Sequence, residues 1–296
     1  MYAGSRTRRD PLEMGNKKMT YAVIVATRNG ASTIKQTIDS IMRQSLQAAQ
    51  ICVVDDGSTD ETPRILNTFR DRVRLRIVSR PDWGYDIRRV PSNLNLAYAS
   101  LDVAFDYLMI SGDDCVYPNE YAHSLISCMA SDPSIAVASG RPRTGSNVLA
   151  EHTPSGSGRM IRRFFWRSVG ESYPVKVGWE AWLLYRALEE GFAIRLCEDL
   201  NYEHLRPRGS MHQFAYWGSA MYSLGYHPLY ALGRLVKNVV KMEITPAGFV
   251  NMLRGYLLAF LGSSDPFIST FEQSLRDFVR AMQARRISGI VSGLIR

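Results

Sequence analysis

Between residues 21 and 78 the chain alternates short apolar runs with helical periodicities, and the first two runs end on polar clusters. Tyr21-Ala-Val-Ile-Val-Ala26 is rich in β-branched residues and lacks the alternation of a half-exposed strand, so it reads as a strand covered on both faces. Asn29 and Gly30 break it. Ile34, Ile38, Ile41 and Met42 then recur at helical spacing, with Ser32 or Thr33 available as N-cap. A second strand is expected at Ile51-Cys-Val-Val54. The helix after it runs through Ile65, Leu66 and Phe69, opened either by the capping-box spacing of Ser58 and Glu61 or by Thr62-Pro63. A third strand follows at 75–78. This order predicts a parallel α/β beginning with right-handed crossovers, and ligands of such sheets bind at the carboxyl ends of the strands. The polar clusters sit there: Thr27-Arg28-Asn29 after the first strand, Asp55-Asp56-Gly57-Ser58 after the second.

A helix carrying Leu94, Ala97, Tyr98 and Leu101 precedes another apolar run, Tyr107-Leu-Met-Ile110, which Ser111-Gly112-Asp113-Asp114 closes abruptly. Two adjacent carboxylates at the end of an apolar strand are costly unless a cation or a hydrogen-bond network compensates them. Magnesium and manganese take such oxygen ligands together with substrate phosphates, whereas the bland alternative is a solvated turn. A strand is expected at 135–138, a surface loop over the Gly-, Ser-, Pro- and Thr-rich stretch 141–158, a helix over 179–190 and a short strand at 193–196. Beyond about residue 210 strand signals vanish and helix starts recur at Pro228, Pro246 and Pro266. The expected division is a basic mobile arm over 1–18, an α/β domain over 19–209 and a helical region over 210–296.

A chain of 296 residues with 46% hydrophobic content can bury a full core, so disorder is not the default. The net charge of +8 suits an anionic partner without choosing among sugar nucleotide, lipid surface and nucleic acid; no nucleic-acid motif is present, and that partner is set aside. Cys52, Cys115, Cys128 and Cys197 are scattered without a C-x-x-C pair, which suggests free thiols in a reducing, cytoplasmic setting. Residues 1–18 lack the apolar segment of a signal peptide, and the nearest approach to a membrane span, 247–261, is broken by Asn251 and Arg254. Over 267–286, Leu275, Phe278, Val279 and Met282 share a helix face beside Arg276, Arg280, Arg285 and Arg286. Packing of that face on its own domain is the preferred reading. Contact with an anionic bilayer through 246–296, at the inner face of the cell membrane, is the alternative.

Taken together, the residues from Tyr21 through Asp55-Asp-Gly-Ser-Thr-Asp-Glu-Thr62 closely resemble the start of family 2 glycosyltransferases of the GT-A fold, and Ser111-Gly-Asp-Asp114 falls where that family carries its D-x-D metal motif. The resemblance covers roughly 20–207 and is strongest in the first hundred residues. It implies a GT-A-type, Rossmann-like mixed sheet flanked by helices, followed by a C-terminal helical appendage. It also implies inverting transfer of a sugar from a nucleotide-diphosphate donor to a glycan or lipid-linked acceptor, with manganese or magnesium as cofactor. By position, Thr27, Asn29 and Asp56 would line the base pocket, with Arg28 and Asp55 beside them. Arg89 and Asn95 would look toward nucleotide and donor sugar. Asp113 would touch ribose or sugar, and Asp114, with His204, would hold the metal. The first acidic position of the motif is Ser111 here, which shifts the metal role toward Asp114.

Glu180, in Trp179-Glu-Ala-Trp182, falls where the family places its general base, although the usual Glu-Asp pair is Trp-Glu here. Removal of the acceptor hydroxyl's proton requires such a base, and desolvation between Trp179 and Trp182 would raise its affinity for the proton. The two tryptophans could stack on an acceptor sugar or pack in the core. Arg206 and Arg208 could screen a leaving diphosphate or sit on the surface. Two other classes remain: a sugar-nucleotide-forming nucleotidyltransferase, whose G-x-G-T-R loop is not matched by Ala26-Thr-Arg-Asn-Gly-Ala31, and a non-catalytic carbohydrate-binding protein on the same fold.

Overall fold

The computed structural model describes residues 13–14, 17–72, 74–143, 153–206 and 211–294. Most of the 1–18 arm, Arg208, the boundary near 210 and the middle of the 141–158 loop lie outside the described residues. β1 (Glu13–Met14) and β2 (Lys17–Lys18) pair with each other in a small antiparallel sheet of their own.

The main body follows as β3 (Tyr21–Thr27), α1 (Ile34–Met42), β4 (Gln50–Asp55), α2 (Thr62–Asn67), β5 (Leu75–Ser79), α3 (Val90–Ala99), β6 (Tyr107–Ser111), β7 (Cys115–Val116), α4 (Tyr121–Ser131) and β8 (Ile135–Pro142). It continues through β9 (Arg159–Arg162), α5 (Arg163–Ser168), α6 (Trp179–Glu189), β10 (Ala193–His204), α7 (Met211–Ser223), α8 (Pro228–Val240), α9 (Pro246–Phe260) and α10 (Gln273–Leu294). Eight strands form one mixed sheet in the order β5-β4-β3-β6-β9-β8-β10-β7. β3, β4, β5 and β6 run parallel, so their carboxyl ends share one edge, and Thr27 lies opposite Asp55 in register. β9 is antiparallel to both β6 and β8, and β7 is antiparallel to β10.

Side chains alternate between two apolar layers because successive residues of a strand point to opposite faces. Ala22, Ile24, Cys52, Val54, Leu108 and Ile110 enter one core, while Tyr21, Val23, Val25, Ile51, Val53, Tyr107 and Met109 enter the other. Helices α1 and α4 cover the second face through Ile34, Ile38, Ile41, Leu125, Ile126 and Met129. The first face is covered by α3, α5 and α6 and, in the same continuous cluster, by Met221, Leu235, Met252, Tyr256, Leu275 and Val279 of the C-terminal helices. Those helices therefore belong to the sheet's own core. Among the described residues no helix is long and apolar enough to cross a membrane.

Three local expectations are corrected. Ser58 and Glu61 do not form a capping box: the Ser58 hydroxyl and amide donate to Asp55 Oδ1 at 2.6 and 3.1 Å, and the helix starts at Thr62 beside Pro63. Pro266 does not open a helix, because Asp265 Oδ1 accepts the Phe267 amide at 2.9 Å in a turn and α10 begins only at Gln273. The stretch 141–158 is not all surface loop: Arg141 and Pro142 still belong to β8 and Ser155 is buried, and the β9 that follows is an inner strand whose Arg159 and Arg162 are buried.

Candidate active site

The shared edge of β3, β4 and β6 gathers the polar clusters. Thr27 Oγ1 donates to Asp113 Oδ2 at 2.7 Å, and the Asp56 amide donates to the Thr27 carbonyl at 2.9 Å. Asp56, 4% exposed, holds Arg89 through a bidentate contact of 3.0 and 3.2 Å to Nε. Arg28 donates to the carbonyls of Asp56 and Gly57 and, at 2.7 Å, to Asp82 Oδ1, which holds that carboxyl below the usual carboxylate range. Gly57 adopts a positive φ of 66°, and a Cβ there would lie 2.5 Å from the Pro81 carbonyl, so the close approach of the two loops requires glycine. Asn29 also has a positive φ, 50°, which asparagine tolerates; its amide donates to Ser58 Oγ and its Oδ1 accepts from the Thr59 amide, both at 2.9 Å. Asp55 is spent on Ser58 and closes the turn. Strand-end loops are thus fixed to one another before any ligand arrives.

Two carboxylates stand side by side at the end of β6. Burial holds the Asp113 carboxyl above the usual range, while the Arg206 guanidinium and the Thr27 hydroxyl act in the opposite sense. Arg206 bridges both acids, contacting Asp113 through Nη2 and Asp114 Oδ2 through Nε at 3.1 Å. The pairing of β10 with β7 sets His204 opposite Cys115 and brings its Nε2 to 3.5 Å from Asp114 Oδ1. His204 Nδ1 lies 2.8 Å from the Arg206 carbonyl; with a proton on that nitrogen the ring donates to the carbonyl and its Nε2, on the Asp114 side, can serve as a metal ligand. Asp114 offers a carboxylate oxygen of the kind manganese and magnesium take, and the His204 nitrogen beside it is a further ligand that suits manganese better than magnesium. Cys115 belongs to the same cluster, in which the donor atoms lie within 4.8 Å of one another, but a thiol is a poor partner for either ion.

From Asp114 the rim continues through the segment 153–158. A Cβ at Gly112 would lie 2.9 Å from both Asp114 Oδ1 and Ser157 Oγ, so the acid and this segment flank one glycine. At Gly156 a Cβ would meet Glu180 Oε1 at 2.3 Å: the chain passes close over the carboxylate, and a larger residue there would push that side chain aside. Glu180 stands in the first turn of α6, where the helix dipole suits a carboxylate, just after Gly178 at φ 86°. Its side chain is exposed, so the expected desolvation between tryptophans is corrected. Trp182 is 7% exposed within the core and offers no stacking face to an acceptor; Trp179 packs edge-on against Tyr173 with centroids 4.7 Å apart. Asn95 also departs from expectation. Its Nδ2 donates to the Tyr173 carbonyl at 2.8 Å and its Oδ1 accepts the Tyr173 amide at 2.7 Å, so its amide braces that segment instead of facing the nucleotide side.

Sequence reasoning missed Arg159. It is 2% exposed and donates to the carbonyls of Ser155 at 2.9 Å, Glu180 at 3.0 Å and Pro154 at 3.3 Å, tying the 153–158 segment to the first turn of α6. Tyr202 adds a second tie: its hydroxyl donates to the Ser157 carbonyl at 2.9 Å and lies 2.8 Å from the Ser155 hydroxyl, which can donate to it. Nothing local in the sequence marks either residue; an arginine beside a loop reads as solvated.

The model of the family described as Glycosyl transferase family 2 matches residues 22–192. Validoxylamine A glucosyltransferase of Streptomyces hygroscopicus subsp. jinggangensis is 33% identical over 109 residues, 35% of this chain and 25% of that relative, so the chain matches about a quarter of its length. Among solved structures, mannosyltransferase PcManGT from Pyrobaculum calidifontis, in complex with GDP-Man and Mn2+, is similar with a TM-score of 0.56 at 17% identity, over 96% of this chain and 88% of that one. The S. aureus TarS 1-349 structure in complex with UDP is similar with a TM-score of 0.52 at 14% identity, over 83% and 73% of the two chains. These likenesses establish the GT-A fold, a mixed sheet flanked by helices with C-terminal helices. With its matched segment spanning more than half of the sequence, the chain belongs to glycosyl transferase family 2.

Proposed function

We propose that this chain transfers a sugar from a nucleoside diphosphate sugar to a hydroxyl of a glycan or lipid-linked acceptor, with inversion at the anomeric carbon. The observation that carries the reading is the continuous rim from Asp56 and Thr27 through Asp113 and Asp114 to Ser157, Gly156 and Glu180, built from distant parts of a family 2 chain. The nucleotides and manganese held in the similar structures support the ligand class.

In this reading Asp56, Thr27 and Asn29 orient the nucleoside, and Arg89, paired to Asp56, stands beside it. Asp114 and His204 would hold manganese or magnesium. When bound, the ion supplies positive charge against the negative charge that develops on the departing diphosphate. Glu180 accepts the proton of the acceptor hydroxyl as that oxygen attacks the anomeric carbon from the face opposite the diphosphate. Exposure of its carboxylate leaves access for an acceptor, while the Arg159 ties hold its helix turn in place. Asp113, bonded to Thr27, faces the region between nucleoside and metal and suits a ribose or sugar hydroxyl.

The test is Glu180→Gln. Transfer should fall by about 10²–10⁴-fold, the usual share of a general base, while manganese-dependent binding of the nucleoside diphosphate stays near wild type. Loss of binding in parallel with transfer would remove Glu180 from the role of base.

A further inference from the structure

Among the described residues, α8 and α9 carry uncovered apolar faces, and none of the residues on them belongs to the rim. On α8 the inner face, Ala231 and Leu235, is buried in the core, yet the opposite face carries Leu229, Leu232, Val236 and Val240, all exposed and spaced i, i+3, i+7 and i+11. Leu229 is 71% exposed, Val240 77%, and Met242 just beyond them 91%. The neighbouring α9 repeats the pattern. Gly248, Met252, Gly255, Tyr256 and Ala259 face inward, while Val250, Leu257, Leu258, Phe260 and Leu261 face out. A helix on a water-facing surface normally sets polar residues opposite its buried stripe. These two adjoining helices are apolar on both sides.

The charges beside the stripes have one dominant sign. Residues 227–264 contain Arg234, Lys237, Lys241 and Arg254 against a single acid, Glu243. Lys237 and Lys241 are exposed directly after Val236 and Val240, and Arg254 stands within the α9 stripe. By contrast, the helix in which the sequence placed an amphipathic face, α10, has that face inside: Leu275 and Val279 are fully buried, and Arg280 donates to the Gly225 carbonyl.

We propose that the outer faces of α8 and α9 dock in the plane of an anionic lipid surface, with Lys237, Lys241 and Arg254 against the headgroups. Large exposed apolar patches rimmed by charge mark contact surfaces, and basic residues flanking an apolar helix face match the interface of an anionic bilayer. No described helix could cross the bilayer, so the contact is peripheral. A second copy of the chain fits less well. A self-complementary interface on these stripes would set the lysines and arginines of both copies against one another. The proposal is independent of the sugar-transfer reading, because none of these residues belongs to the rim.

Sedimentation of the full chain with vesicles tests it. The wild type should pellet with vesicles of phosphatidylcholine plus phosphatidylglycerol, pellet poorly with phosphatidylcholine alone, and be released by high salt. Two variants should each lower the bound fraction, by roughly tenfold or more in partition coefficient. One replaces apolar residues (Leu229→Ser, Val236→Ser, Leu257→Ser) and the other reverses charge (Lys237→Glu, Lys241→Glu, Arg254→Glu). Unchanged thermal unfolding of both variants establishes that they fold. The proposal is overturned if wild type fails to pellet with the anionic vesicles, or if both folded variants pellet as well as wild type. It is overturned equally if the apolar variant instead abolishes a concentration-dependent dimer or the capture of an acidic protein while vesicle binding is absent.

Discussion

Asp113 and Asp114 are neighbours in sequence with different surroundings. Asp113 is 8% exposed and takes the Thr27 hydroxyl; Asp114 faces His204 and, through Oδ2, the Arg206 Nε. Because burial raises the Asp113 pKa in the folded state above its unfolded value, the associated stability is complete below the unfolded pKa and is lost as pH rises through the folded one. Asp113→Asn removes that loss. Urea unfolding of both proteins at about pH 4 and about pH 7 should show the variant gaining stability relative to wild type at the higher pH. A difference that is independent of pH would contradict the assignment. Position within the resembled family pattern picked out Asp56, Asp114 and Glu180 as candidates. It did not reveal that Asn95 braces the Tyr173 backbone or that Trp182 is core, because both facts depend on what folds against them from distant sequence.

At the scale of elements, the segment 153–158 and the start of α6 act as one unit through Arg159. Arg159→Met would leave three carbonyls without their donor, each costing about 1–3 kcal/mol if it stays buried, and would loosen Glu180 as well. Gly156→Ala differs in kind. The added methyl meets the far end of the flexible Glu180 side chain, which must move aside. Stability should change by about 1 kcal/mol or less, yet transfer should drop while nucleotide binding persists. Denaturant unfolding alongside a transfer assay separates the two variants, and an unaltered transfer rate in Gly156→Ala would contradict the placement of Glu180. The strands at 21–27, 50–55 and 107–111 were legible because doubly covered strands leave continuous apolar runs. β9 was not, since its Arg159-Met-Ile-Arg162 carries an arginine at each end, both buried and satisfied by backbone carbonyls and a tyrosine that no local pattern announces.

Across the whole molecule, the C-terminal helices share a core with the sheet. Leu275 of α10 is fully buried in the cluster that contains Ile24 and Leu108. Leu275→Ala should therefore lower the stability of the entire chain by about 2–5 kcal/mol in a single transition, whether followed by helical signal or by tryptophan fluorescence. A separate early transition confined to the helical signal would contradict a common core. The basic charge of +8 is also shared out, with Arg28, Arg89 and Arg206 at the rim and Lys237, Lys241 and Arg254 beside the outer stripes of α8 and α9.

If residues at the ends of β3, β4 and β6 and on β10 form one site for a divalent ion and a nucleoside diphosphate, thermal unfolding with UDP or GDP, with and without manganese, reads it out. A ligand held only by the folded chain at a hundredfold above its Kd adds about 2.7 kcal/mol of stability. Tm should rise only with nucleotide and manganese together, and the rise should disappear in Asp114→Ala. An equal rise in Asp114→Ala, or no rise in the wild type with either nucleotide, would contradict such a site.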